Sequence, residues 1–138
     1  MSKYVIYTDG AYSAKRNQGG IGIVILRDGQ LLQQHSEHHK NTTNNQMELL
    51  AVIKALQAIR KEIESLTIYS DSMYVIGCAT LGWKRRKNIK LWTYFDVAFE
   101  HAKELCKDIK FEHVKGHNGD KYNEMCDRLA VRASQYES

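Results

Sequence analysis

The sequence predicts an α/β fold: a mixed five-stranded sheet with helices on its faces. Three β-rich stretches open the chain, the second and third separated only by Asp28-Gly29, a two-residue hairpin signal. Helical and strand patterns then alternate to the end. A tight turn implies an antiparallel pair, whereas a helix between two strands implies a parallel crossover. The expected order is β-β-β-α-β-α-α-β-α.

Lys3 to Asp9 is rich in β-branched and aromatic residues and reads as the first strand. Gly20 to Arg27 is the second, and the third begins at about Gln30. Thr43-Asn44-Asn45 opens a long helix, with Leu49, Val52, Ile53, Leu56, Ile59 and Ile63 as its apolar stripe. Ala51, Ala55 and Ala58 widen that stripe, so the helix should be packed against the sheet and partly enclosed. Leu66 to Ser70 is a short strand, and Ser72 to Thr80 a helix. A basic loop, a helix over Leu91 to Leu105 and a strand over Ile109 to His113 follow. Gly116 to Asp120 forms a loop before the last helix, Tyr122 to Gln135. Proline is absent, so Gly, Asn and Asp must make the turns.

The 138 residues suit one domain with a single core, so residues 1–138 are expected to form one unit. No apolar run is long enough to span a bilayer, and no secretory cleavage pattern follows Met1, so a cytoplasmic protein is expected. Cys78, Cys106 and Cys126 are widely spaced and read as buried thiols, with neither a zinc knuckle nor a disulfide framework. His35, His38 and His39 are near one another but lack an evident fourth zinc ligand. A formal charge of +4 mildly favours a polyanionic partner. The compact run Lys84-Arg85-Arg86-Lys87, with Trp83 before it and Lys90 after it, says more.

Four acids stand out by position. Asp9 ends the first strand, Glu48 lies in the first turn of the long helix, Asp71 ends the fourth strand, and Asp127 sits on the last helix. Each has an ordinary explanation. Asp9-Gly10 can be a turn, Glu48 follows Asn45 at capping-box spacing, Asp71 can cap the helix starting at Ser72, and Asp127 can be a solvated acid. Together they can converge at one edge of a sheet, as oxygen ligands of hard divalent cations must.

The series Tyr7-Thr8-Asp9-Gly10, Thr42 to Leu49, Tyr69-Ser70-Asp71-Ser72, Val114 to His117 and Asn123 to Asp127 resembles, in order and spacing, the motifs of type 1 ribonuclease H. The resemblance covers essentially the whole chain and implies the ribonuclease H-like fold. It implies an endonuclease that hydrolyses the RNA strand of an RNA–DNA hybrid, leaving 5′-phosphate and 3′-hydroxyl ends. Asp9, Glu48, Asp71 and Asp127 match the family's carboxylates for two Mg²⁺ ions, with Mn²⁺ as the alternative. One ion would activate water and the other would stabilise the leaving oxygen. His117 matches the loop histidine and, titrating near neutrality, suits a proton shuttle.

The resemblance also places Gly10, Thr43, Asn44, Asn45 and Gln46 against the hybrid, where amide side chains can read 2′-hydroxyls and base edges. Asn44 has capping as its alternative role. Thr43 and Asn88 match positions that grip a DNA-strand phosphate, and Trp83 offers a flat face to a deoxyribose, with packing as its alternative. The expected partner is the hybrid, and the expected state a monomer.

Two departures limit the carry-over. Lys15 occupies the position of a family asparagine, in the stretch Lys15-Arg16-Asn17-Gln18. The segment from Asp71 to Leu91-Trp92 is too short for the extra basic helix of many cellular members; only Lys84 to Lys87 remain as a basic loop, a backbone clamp or a solvated surface, and weaker hybrid affinity is expected. The competing readings are a retroviral-type or integrase-like nuclease on the same fold, or a non-catalytic hybrid-binding module. Retention of all four acids argues against the module.

Overall fold

The computed structural model describes residues 1–114 and 120–136. The elements are β1 (Lys3–Ser13), β2 (Gln18–Arg27), β3 (Gln30–Lys40), α1 (Asn44–Gln57), β4 (Ile63–Ser70), α2 (Met73–Thr80), α3 (Ile89–Leu105), β5 (Cys106–His113) and α4 (Lys121–Ser134). Their order is the one expected. They form a five-stranded sheet, β3-β2-β1-β4-β5. β1–β2 and β2–β3 are antiparallel, whereas β1–β4 and β4–β5 are parallel. Asp28 and Gly29 both adopt positive φ, 51° and 82°, as a two-residue turn matched to strand twist requires.

The sheet divides the apolar interior in two. Tyr4 and Ile6 of β1, the odd residues Ile21, Ile23 and Ile25 of β2, and Leu66 and Ile68 of β4 pack with α1, α2 and α3. Tyr7, Val24, Leu26 and Cys126 form a smaller cluster under α4 on the other face. Strand alternation produces this split. The alanine-widened α1 is nearly enclosed, as expected: Met47, Leu49, Ala51, Val52, Ile53, Ala55 and Leu56 are all buried. All three cysteines are free and buried.

Several boundaries differ from the sequence reading. α1 ends at Gln57, and Ile63 starts β4 as an inward-facing strand residue. Its spacing from Ile59 mimics another helical turn, because an inward strand residue after a short turn can fall in helical phase by coincidence. β1 runs past Asp9 to Ser13, because antiparallel pairing with β2 continues to Ser13 opposite Gln18 after the β4 ladder has ended.

β2 lets α4 lie close to the sheet. A Cβ on Gly22 would collide with the Cys126 carbonyl, and one on Gly20 would collide with the backbone of Ala130 and Ser134. The Cys126 thiol donates to the Gly22 carbonyl at 2.9 Å and also meets the Tyr7 carbonyl at 3.3 Å. The glycines therefore fix the height of α4, and Asp127, next to Cys126, is brought down with it.

Candidate active site

Parallel register aligns the first two acids. Tyr7 of β1 pairs with Tyr69 of β4, so Asp9 and Asp71, each two residues further on, reach the same level at the carboxyl end of that ladder. Open sheets with parallel strands commonly place ligands at this edge. Glu48 comes from α1. Gly10 admits it: a Cβ there would strike the backbone of Met47 and Glu48. The Gly10 N–H donates to Asp9 Oδ1 at 2.9 Å and also to Glu48 Oε1, bridging the two acids. Asp9, Glu48 and Asp71 each offer an oxygen within 4.8 Å of the others. Asp127, half-buried on α4, is not one of these three, but its charge adds to those that raise the Asp9 carboxyl.

The ordinary explanations for three of these acids fail on geometry. Ser72, not Asp71, caps α2, its hydroxyl accepting from Val75 N at 3.2 Å. Thr43, not Asn44 or Asn45, caps α1, its hydroxyl accepting from Gln46 N at 3.1 Å. Glu48 is turned towards β1, away from the role of a capping-box acid. Asp9 is inside a strand, not in a turn. Asp71 Oδ1 is buried without a hydrogen-bond partner among the described residues. A buried carboxylate oxygen without a partner is costly and calls for an explanation.

Electrostatics points the same way. Burial, then the neighbouring Asp71 charge, push Asp9 up to about 8. Burial, then the hydrogen bond with Asp71 and the charge of Asp9, hold Glu48 well above the usual carboxylate range. Without a cation the cluster keeps protons that ordinary carboxylates lose. An all-oxygen donor set with surplus negative charge fits a hard divalent cation, and the three clustered acids could hold one.

The residues matched to substrate contact sit beside this corner. Thr43, Asn44 and Asn45 are exposed and Gln46 is half-buried, at the start of the helix that carries Glu48. Gln46 Nε2 donates to Asn88 Oδ1 at 3.2 Å, and Asn88 Nδ2 donates to the Tyr74 hydroxyl at 3.0 Å. Trp92 Nε1 donates to that same hydroxyl at 3.0 Å. Asn88 is left-handed, φ 59°, a conformation that asparagine tolerates better than most residues. Gln46 and Asn88 line a groove of about 360 Å³ with Asn41, Lys40, Lys90 and Tyr94. Trp83 packs one ring face on Gly77 yet remains 47% exposed, so packing and an open surface coexist. His117 lies outside the described residues.

The sequence reading missed some of the supporting residues. Asn17 accepts from Tyr12 Oη at 3.0 Å and donates to Asn41 Oδ1 at 3.1 Å, tying the β1–β2 turn to the approach of α1. An asparagine in a proline-free turn was the available signal. His35 and His39 hydrogen-bond to the Glu37 carboxylate at 2.7 and 2.9 Å, and Lys54 forms an ion pair with it at 3.7 Å. Within the basic loop, Arg85 is tied down by its neighbours. It pairs with Asp96 at 2.8 Å and stacks over the Trp92 ring at 4.3 Å.

Comparison with known proteins agrees with this geometry. The RNase H family profile matches residues 1–135. A ribonuclease H of Trichodesmium erythraeum is 40% identical over 144 residues, covering 97% of this chain and 90% of that one. One from Rhodopirellula baltica is 40% identical over 147 residues, covering 94% and 89%. The crystal structure of an RNase H1 from the halophilic archaeon Halobacterium salinarum matches with a TM-score of 0.75 at 25% identity, covering 95% of this chain and 96% of that one. With profile, relatives and fold in agreement over nearly its whole length, the chain belongs to the ribonuclease H family.

Proposed function

We propose that this protein is a metal-dependent endonuclease that hydrolyses the RNA strand of RNA–DNA hybrids. The observation that carries the reading is the convergence of Asp9, Glu48 and Asp71 on one corner, with a buried Asp71 oxygen left unpartnered. Asp127 completes the ligand set from the α4 side, and two Mg²⁺ ions are the proposed complement, with Mn²⁺ able to replace them. When bound, such ions supply Lewis acidity that activates water and offsets charge on the departing 3′ oxygen.

The chain's own residues prepare the corner. The Gly10 N–H holds Asp9 and Glu48 side by side, and the β1–β4 register holds Asp71 level with Asp9. The exposed amides of Asn44 and Asn45 and the Gln46–Asn88 pair can donate to and accept from 2′-hydroxyls and base edges. Thr43 and Asn88 are assigned to a DNA-strand phosphate, Trp83 to a deoxyribose face, and His117 to proton transfer near the reacting phosphate. The product carries a 5′-phosphate and a 3′-hydroxyl.

The test is end-labelled RNA–DNA hybrid incubated with and without Mg²⁺, beside RNA duplex and DNA duplex of the same sequence. Internal RNA cuts in the hybrid alone, and only with the ion, are expected. Equal cleavage of RNA duplex would overturn the substrate, and cleavage in chelator would overturn the metal requirement.

A further inference from the structure

The Tyr7 hydroxyl donates to Asp120 Oδ2 at 3.1 Å. The other oxygen of that carboxylate accepts from the N–H groups of Tyr122 and Asn123 at 2.9 and 3.1 Å, capping α4. One carboxylate thus joins β1 to the first turn of α4. Tyr7 is itself held rigidly. It stacks on Tyr69 with ring centres 4.8 Å apart and an 18° interplanar angle, and it meets Tyr122 at 5.9 Å.

The position of this hydrogen bond gives it a consequence. Alternate residues of a strand share a face, so Tyr7 and Asp9 both lie on the α4 side of β1. Asp127 follows Asp120 by seven residues, and seven residues make nearly two full turns of about 3.6 residues each. Asp120 and Asp127 therefore lie along the same side of α4. The close approaches at Gly22 and Gly20 fix α4 from Cys126 to Ser134 and leave its first turn, where Asp120 lies, to be set by other contacts.

We propose that the Tyr7–Asp120 hydrogen bond is a positioning contact that sets the phase of α4, so that Asp127 reaches Asp9 and completes the ion-binding corner. The inference rests on the metal reading of that corner. Neither residue touches the reacting atoms, and both act through Asp127.

Tyr7→Phe removes the hydroxyl and keeps the ring stack. Two measurements are needed: Mn²⁺ binding to the substrate-free protein by calorimetry, and the Mg²⁺ dependence of hybrid cleavage. Removing a group that orients a metal ligand typically weakens ion affinity about 10–100-fold. The expected result is ion binding weaker by about tenfold, at the low end of that range, and a matching rise in half-saturating Mg²⁺. KM for hybrid at saturating Mg²⁺ should stay as in the parent. Asp120→Ala, which also removes the cap of α4, should shift ion binding at least as far, and the double variant no further than Asp120→Ala alone, because the Tyr7 contact is already lost there. Should Asp120→Ala fail to fold, Tyr7→Phe alone decides. A Tyr7→Phe protein with a lower melting temperature but parental Mn²⁺ binding would show a merely structural bond and overturn the proposal. Additive losses in the double variant would do the same. A parent protein that binds no Mn²⁺ would overturn the metal reading itself, and this inference with it.

Discussion

Asp9, Glu48 and Asp71 crowd three carboxylates into a mostly buried corner, whereas Lys84, Arg85, Arg86 and Lys87 string four cations along a largely solvent-facing loop. The first arrangement is held by backbone. Strand register, a glycine that admits α1 and glycines that admit α4 leave the acids no room to separate. At 4.8 Å and an effective dielectric of about 20, each ionised pair repels by about 3.5 kcal/mol. The loop cations bear no comparable cost, because water screens them. Charge forced together against repulsion points to a ligand of opposite sign, whereas charge dispersed in solvent does not by itself identify one.

The largest expected effect breaks the acid side of this contrast. Asp9→Asn and Asp71→Asn should each lower kcat by at least about 10²–10³-fold, the scale of losing one preorganised electrostatic group. Both should stay folded, because the amide keeps the shape. Relief of repulsion should raise the melting temperature in chelator by on the order of 5 °C. Steady-state cleavage and thermal melts check this, and near-parental turnover would make that acid structural.

Gly22→Ala tests the backbone that holds the corner. The new Cβ has nowhere to go beneath the Cys126 carbonyl. Overpacking of this kind costs about 1–3 kcal/mol, and relief requires α4 to lift, carrying Asp127 away from Asp9. Urea unfolding should show the stability loss, and Mg²⁺ titration of activity a higher half-saturating concentration. Lower stability with an unchanged Mg²⁺ requirement would separate the height of α4 from ion binding.

The repulsion should also appear as a pH dependence of stability. The Asp9 carboxyl is raised from 3.8 to about 8 in the folded chain by burial and the Asp71 charge. Between those values the folded state holds a proton that the unfolded state has released. Stability in chelator should therefore fall as pH rises from about 4 to 8, by at most about 1.4 kcal/mol per pH unit for one proton. Excess Mg²⁺ should flatten the fall, and so should Asp9→Asn. Melting temperature against pH, with and without the ion, reads this out.

The sequence reveals these regions unequally. The order of elements is visible because strands, helices and turns each leave a local pattern, and the four acids are visible because each sits in a short motif and the motifs follow one another in a recognisable order and spacing. Register is less visible. That Asp9 and Asp71 are level follows from the Tyr7–Tyr69 pairing, a long-range fact. Ile63 misleads because helical spacing and an inward-facing strand residue coincide there. The close approaches at Gly10 and Gly22 are legible only as glycines in strands, a signal for a bulge or a near neighbour that does not say which. Arg85 is the clearest case of information the sequence lacks. Within a run of four cations, nothing local marks the one whose partners, Trp92 and Asp96, lie seven and eleven residues away.

That difference within the loop gives the smallest expected effect, and it divides the run into two parts. Arg85 stacks on Trp92, pairs with Asp96 through both carboxylate oxygens at 2.8 and 2.9 Å, and donates Nε to the Cys78 carbonyl at 3.4 Å. A stacked cation contributes about 0.5–2 kcal/mol and a partly exposed ion pair up to about 1 kcal/mol. Arg85→Ala should therefore lower stability by about 1–2 kcal/mol and leave KM and its salt dependence nearly unchanged. Lys84, Arg86 and Lys87 are exposed. If they clamp phosphates, replacing all three by Ala should raise KM by roughly tenfold and reduce the salt slope by about one for each phosphate no longer neutralised. Because this grip is made equally in the ground and transition states, kcat should stay near the parent value. Urea unfolding beside steady-state cleavage of one hybrid at several salt concentrations separates the two halves. If the triple variant keeps the parental KM and salt slope, the loop is a solvated surface. The hybrid would then be held elsewhere, with Lys40 and Lys90 beside the Gln46–Asn88 pair the next residues to change.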